Sequence, residues 1–214
     1  MKKALIVYGG WKGHDPQGVA EVFEEILTKE DFLVTKSNSL DAFLTDLTVY
    51  DLIIPIWTMG SLDGQMTKNI LTAVEGGVGL AGCHGGMCDA FRDNTDWQFM
   101  TGSQWVAHPG NTITYTVNIT DKNHPLTKGI NDFSVTSEQY YIHIDPAIKV
   151  YATTVFNSKE HPYSQNGEVT VPVVYTKFWG KGKIYYNSLG HDRSIFDISE
   201  VKELMRRGFL YATR

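Results

Sequence analysis

The chain has 214 residues, 42% hydrophobic, 12% aromatic and 20% charged, which is enough apolar material for one buried core and too much for a disordered chain or tandem array. Lys plus Arg is 19 against 24 for Asp plus Glu; a net charge of -5 with no basic run excludes nucleic acid and anionic membrane as expected partners. The longest apolar runs, such as Leu52 to Trp57, are strand-sized against the roughly 20 residues of a membrane-spanning helix, and two cysteines, Cys83 and Cys88, provide no disulfide framework, so a cytoplasmic protein is expected.

Behind two N-terminal lysines the apolar segment lasts only from Ala4 to Tyr8 before Gly9 and Gly10, which reads as a strand and turn and not as a signal peptide. The segment Lys2 to Tyr8 is rich in β-formers, and its apolar run reads as a strand buried on both faces. Asp15-Pro16 supplies an N-cap and a first-turn proline, and Val19, Val22, Phe23, Ile26 and Leu27 form one apolar stripe of a helix. A strand at Phe32 to Lys36, a helical piece near Leu40 to Leu47 and a strong strand at Asp51 to Trp57 follow; Pro55 predicts that the last ends early or bulges. Met66, Ile70, Ala73 and Val74 mark a second helix closed by Gly76-Gly77, and Val78 to Ala81 a short strand ending in Gly82-Cys-His-Gly-Gly86.

Past Gly110 the pattern turns β-rich. Thr112 to Ile119 alternates strictly, with Ile113, Tyr115, Val117 and Ile119 on one face, and offers an edge through which a homo-oligomer could form. Further strands are predicted at Ser134 to Ile144, Lys149 to Val155, Val171 to Phe178 and Lys183 to Ser188, before a last helix carrying Ile198, Val201, Leu204, Met205 and Phe209. The β-α alternation predicts an α/β fold with a doubly wound, mostly parallel sheet and a β-rich C-terminal half, in which the second half extends the sheet or lies over it. No linker or repeat divides residues 1–214, so a single domain is expected.

In an open parallel sheet, ligands bind outside the carboxyl ends of the strands. The loops there carry Gly9 to Asp15, Trp57 to Gly60, Cys83 to Gly86 and Leu189 to Arg193, and bring His14, His84 and His191 to one rim. Gly82-Cys83-His84-Gly85-Gly86 has the form of a strand-to-helix elbow with His84 where a nucleophile would stand and Cys83 one residue off. Asp192 is placed to orient His191, to pair with Arg193 or to cap the following turn. Glu138 lies in the aromatic segment Ser137 to Tyr141, where burial beside His84 or His191 would raise its pKa and suit it to acid/base work. His108-Pro109 and His124-Pro125 read as turn residues, His143 as one face of a strand and His161 as a solvated loop residue. Trp11, Trp57, Trp105, Trp179, Tyr140 and Tyr141 are candidates for stacking on a sugar ring, whereas Trp97 reads as core. Zinc is a candidate cofactor with His14, His84 and His191 as ligands, although no paired-ligand spacing supports it.

Val7 to Asp15, the histidine-centred elbow, Gln104-Trp-Val-Ala-His-Pro109, His124-Pro-Leu-Thr-Lys-Gly129, Ser137-Glu-Gln-Tyr140, Trp179-Gly-Lys-Gly-Lys-Ile-Tyr-Tyr and Leu189-Gly-His191 together resemble the ThuA-like (trehalose utilization) family nearly end to end. That resemblance implies a flavodoxin-like fold akin to class I glutamine amidotransferases, without their nucleophilic cysteine, and a place in bacterial catabolism of trehalose or related sugars, with chemistry on keto-sugars. It marks His14, His84, His108, Glu138, Tyr140, Trp179 and His191 as pocket residues. Many relatives carry an acidic pair where this chain has Ser137-Glu138, and here Cys83 adjoins the elbow. The expected activity is acid/base chemistry on a carbohydrate by His84, His191 and Glu138. The alternatives are a non-catalytic carbohydrate-binding or regulatory protein, or a cysteine-dependent amidotransferase or peptidase using Cys83.

Overall fold

Four consecutive residues, Ala4 to Val7, are at most 1% exposed, and their alternation sorts the whole molecule into layers. Ala4 and Ile6 point into one core and Leu5 and Val7 into a second on the opposite face of the sheet. The structure, a computed structural model, describes residues 1–157 and 164–214; His161 lies outside them. The first half alternates as predicted: β1 (Lys2–Gly10), α1 (Pro16–Lys29), β2 (Phe32–Ser37), β3 (Leu52–Thr58), α2 (Gly64–Glu75) and β4 (Gly79–Cys83), followed by the short helices α3 (Gly85–Cys88) and α4 (Thr95–Thr101). The second half holds β5 (Ser103–Ala107), β6 (Thr112–Ile119), β7 (Phe133–Glu138), β8 (Tyr141–Ile144), β9 (Lys149–Phe156), β10 (Val169–Trp179), β11 (Gly182–Asn187) and α5 (Ser199–Ala212).

Nine strands form one sheet in the order β2-β1-β3-β4-β11-β10-β9-β6-β7. The first five are parallel, in the 2-1-3-4-5 order of a flavodoxin-like sheet, and the remaining pairs are antiparallel. Helices α1 and α5 cover one face through Val19, Phe23, Leu27, Val201, Leu204 and Phe209; α2 and α4 cover the other through Met66, Ile70, Val74, Trp97 and Met100. Each fully buried aliphatic or aromatic side chain contributes about 1.5–3 kcal/mol, so these stripes hold the layers together.

Several expectations change. Pro55 neither ends nor bulges β3: the ladder with β4 stops at Ile53, and the strand runs on through Pro55 against β1 alone. Residues 40–47 form two 3-10 turns, Leu40–Leu44 and Leu47–Val49, each started by a side-chain cap from Ser39 or Asp46. The stretch expected as one strand over Ser134 to Ile144 breaks at Gln139 and Tyr140. The buried Gln139 amide donates to Thr154 Oγ1 at 2.7 Å, and the chain leaves β7 to pair β8 with β5, a strand the sequence pattern does not announce, as a separate ribbon. The second half therefore both extends the sheet and adds a flap. β6 pairs with β7 along most of its length and with β9 only at Asn118 and Ile119. Among the described residues no helix is long and apolar enough to cross a membrane.

Candidate functional site

The parallel strands deliver their C-terminal loops to one rim, and the winding reverses between β1 and β3. Beyond β1 a 3-10 turn, Lys12–His14, buries His14 before Asp15 caps α1, and the His14 Nδ1 lies 2.8 Å from Thr58 Oγ1 at the end of β3. Beyond β4 the elbow sets His84 at φ 47 and ψ -141, the strained position expected of its central residue. Position 85 must be glycine there, since a Cβ would come within 2.8 Å of the His14 ring. Beyond β11 the Ser188 carbonyl accepts from His84 Nδ1 at 2.8 Å, and the loop presents His191. The Arg193–Asp15 ion pair, 2.9 Å, fastens the His191 loop to the His14 loop. From the antiparallel half, the last residue of β7 is Glu138.

These elements converge on one atom. Glu138 Oε2 lies 3.1 Å from His84 Nε2, 3.4 Å from His191 Nδ1 and 3.6 Å from His14 Nε2, while Oε1 lies 3.8 Å from His108 Nε2. His84 is 1% exposed and Glu138 7%. Tyr140 stacks on the His84 ring with centroids 3.8 Å apart, so the break after β7 places the carboxylate and its covering aromatic two residues apart.

The electrostatics reverse one expectation. Burial by itself raises the Glu138 carboxyl, but the imidazoles of His14, His191 and His84 outweigh it and hold the group well below the usual carboxylate range. Burial lowers His84 to about 4 against the pull of Glu138, so the ring is neutral at pH 7. His191 is raised by the carboxylate beside it. In the metal-free protein Glu138 is the anion, His84 a neutral imidazole and His191 the group drawn toward its protonated form.

A cavity of about 170 Å³ reaches this cluster and is lined by Trp11, Trp105, His108 and Tyr140 together with His14, Glu138, Met59, Asp89 and Arg92. Arg92 is bonded to Asp89 (2.9 Å) and lies 4.6 Å from the centroid of the Trp105 ring. His108 is thus a cavity residue as well as a turn residue. Arg92 and Asp89 escaped the sequence reading because nothing in Asp89 to Arg92 marks a loop that faces the rim.

Three predicted ligand-binding residues are not brought to this cavity. Trp179 lies at the opposite end of the sheet, paired with Gly182 across the β10–β11 hairpin and packed on Phe99, because β10 runs antiparallel and its C-terminus faces away from the rim. Trp57 is partly buried against glycine backbone: a Cβ at Gly9 or Gly60 would come within 2.5 Å of its ring, which keeps it beside the cavity wall. Asp192 caps the turn Arg193–Asp197, accepting from Ser194 N at 2.8 Å, and so holds the loop instead of the His191 ring. Tyr141 packs on Phe156. His124 packs on Tyr151, and His143 is exposed on β8, as structural residues. Trp97 is core, as read. Cys83 is buried beneath Gly190 without a hydrogen bond among the described residues, and burial pushes its thiol up to about 12, far from a nucleophilic thiolate.

Fold and site together define an amidotransferase-like α/β protein in which a histidine occupies the elbow and a carboxylate–imidazole cluster occupies the rim. The chain belongs to the ThuA family, described as trehalose utilisation, whose model matches residues 3–212. It is similar in structure to a ThuA-like protein from Parabacteroides merdae (TM-score 0.80, 20% identity, 99% of this chain and 89% of that one). A second ThuA-like protein, from Bacteroides uniformis, gives a TM-score of 0.76 at 18% identity over 99% and 91% of the two chains. A β-galactosidase from Bacillus circulans matches with a TM-score of 0.65 at 12% identity, over 99% of this chain and 30% of that one. No curated protein matches the sequence at a significant level.

Proposed function

We propose that the protein is a cytoplasmic enzyme acting on a sugar or keto-sugar by proton transfer at the Glu138 cluster. The observation that carries this reading is the convergence of three imidazoles on one carboxylate oxygen, 3.1 to 3.6 Å away, beneath an aromatic-lined cavity. The cavity, about 170 Å³, is smaller than the roughly 300–1,000 Å³ of pockets for drug-sized ligands, so it suits one sugar ring with any second ring left outside. Trp11 and Trp105 offer faces for the C–H side of such a ring, and Arg92, Asp89 and His108 offer polar groups for its hydroxyl or carbonyl oxygens.

The roles follow from the environment of each group. His191, drawn toward protonation by the carboxylate beside it, is the proton carrier; Glu138, which lines the cavity, is the anion that holds it; His84, fixed by the Ser188 carbonyl, sets the position of the carboxylate. The test is product formation over a panel of disaccharides, monosaccharides and their keto derivatives. His191→Ala and Glu138→Gln are expected to lower turnover by about 100-fold or more, within the 10²–10⁴ range of acid/base contributions. Variants as active as the parent on every accepted sugar would overturn the assignment.

The low basicity of Glu138 and His84 favours one second reading, a non-catalytic carbohydrate-binding or regulatory protein. It predicts saturable binding on the same panel with no product.

A further inference from the structure

The cluster gathers a ring nitrogen from each of three histidines round one carboxylate oxygen. His84 Nδ1 faces a backbone carbonyl, which only accepts, so Nδ1 carries a proton and Nε2 is the nitrogen turned to Glu138 Oε2, 3.1 Å away. His191 Nδ1 is buried and makes no hydrogen bond among the described residues, although it stands 3.4 Å from the same oxygen. The ring nitrogens of His14, His84 and His191 and the carboxylate oxygen all lie within 4.8 Å of one another.

From this we infer that His14 Nε2, His84 Nε2, His191 Nδ1 and Glu138 Oε2 bind one divalent transition ion of the zinc class. Bonds of about 2.0–2.2 Å from a tetrahedral centre put ligand atoms roughly 3.3–3.6 Å apart, and the three distances from Oε2 are 3.1, 3.4 and 3.6 Å. The wider pairs close as the rings draw in on an ion. The outer partners match what orients metal-binding imidazoles: a carbonyl behind His84 and a hydroxyl behind His14. Three neutral nitrogens and one carboxylate suit Zn(II), Co(II) or Mn(II) and offer no thiolate for softer ions, since Cys83 points into the core. A sugar hydroxyl or carbonyl oxygen entering from the cavity side, past His14 and Glu138, would add a fifth ligand.

This inference takes its ligand class from the proposed function but does not need it for the metal. An ion on these four groups leaves none of the three rings free to carry a proton, and that work then passes to His108. Its Nδ1 is buried without a partner among the described residues, and its Nε2 lies 3.8 Å from Glu138 Oε1.

The experiment uses the full, tag-free chain, stripped with chelator and titrated with Zn(II) alone by calorimetry, with elemental analysis after dialysis. The expected result is about one ion per chain. His191→Ala and Glu138→Gln should weaken binding by at least 100-fold while circular dichroism shows an intact fold, and His143→Ala, on an exposed histidine, should bind as the parent does. Thr58→Val, which removes the hydroxyl facing His14, should weaken it about 10- to 100-fold. Co(II) loaded into the parent should give the visible absorption of a four- or five-coordinate site, and His191→Ala should not. No zinc beyond trace in the parent overturns the inference, as does undiminished binding in both His191→Ala and Glu138→Gln. If one of these variants does not fold, the other decides. The two readings fail separately: zinc held by the quartet with no turnover of any sugar removes the enzyme and keeps the metal, whereas turnover by a parent that takes up no zinc removes the metal and keeps the enzyme. His108→Ala, with zinc retained and turnover lost, supports both.

Discussion

A carboxylate taken out of water ordinarily rises in pKa, and Glu138 runs the other way because three imidazoles share one of its oxygens. The sequence could show a glutamate among aromatics; it could not show that the loops of three distant strands would surround it, and the sign of the shift depends on that. In chelator-treated protein Glu138→Gln should lower the titration midpoint of His191, read from its imidazole proton resonance, because the carboxylate is what raises it. The stability linkage has a definite direction. A histidine raised above its ordinary 6.5 adds stability that is complete below that pH and is lost as pH climbs through the folded-state value. The parent should therefore lose thermal midpoint relative to Glu138→Gln across that interval, and parallel pH profiles would contradict the pairing. Cys83 gives a simpler test: buried and pushed up to about 12, it should resist iodoacetamide in the native protein at neutral pH and react once urea unfolds the chain.

Elements place these residues more than their own propensities do. The β4–α3 elbow was legible as Gly-Cys-His-Gly-Gly, because a strained central residue needs small neighbours on either side. Gly85→Ala should show how tightly it is built. The added Cβ meets the His14 ring at 2.8 Å and Thr58 Oγ1 at 2.9 Å, and neither the elbow nor the buried turn can yield freely. Overpacking of this kind costs about 1–3 kcal/mol, which urea unfolding would measure, and a variant of parental stability would mean that His14 moves aside. Strand direction was the illegible part. Trp179 reads as a sugar-stacking pocket tryptophan until the direction of β10 is known; the tight Gly180–Lys181 turn makes β10 antiparallel to β11 and sends the ring to the far end. The break at Gln139 was equally hidden, since its cause is an amide bond to Thr154 on β9.

At the scale of the whole molecule, α5 completes the cover of one of the two cores, and there the closure is electrostatic as well as apolar. Glu203 accepts from Arg206 and Arg207; Arg206 reaches on to Glu30 at the end of α1 (2.8 Å), and Arg207 donates to the Lys128 carbonyl (2.8 Å) in the loop after β6. One carboxylate thereby aligns two arginines that join three parts of the fold. Arg206 above all holds Glu203 down to about 2 from an ordinary 4.5. A depressed carboxylate contributes stability that is present above its unfolded value and is lost as pH falls from about 4.5 toward about 2. The Glu203 side chain is 32% exposed, so solvent screening limits the contribution to about 1 kcal/mol or less. Glu203→Gln should accordingly lower the urea midpoint slightly at pH 7 and flatten its fall between pH 4.5 and 2. Retention of the full acid dependence would mean that the helix is held by Val201, Leu204, Met205 and Phe209 alone, with the arginines idle at the surface.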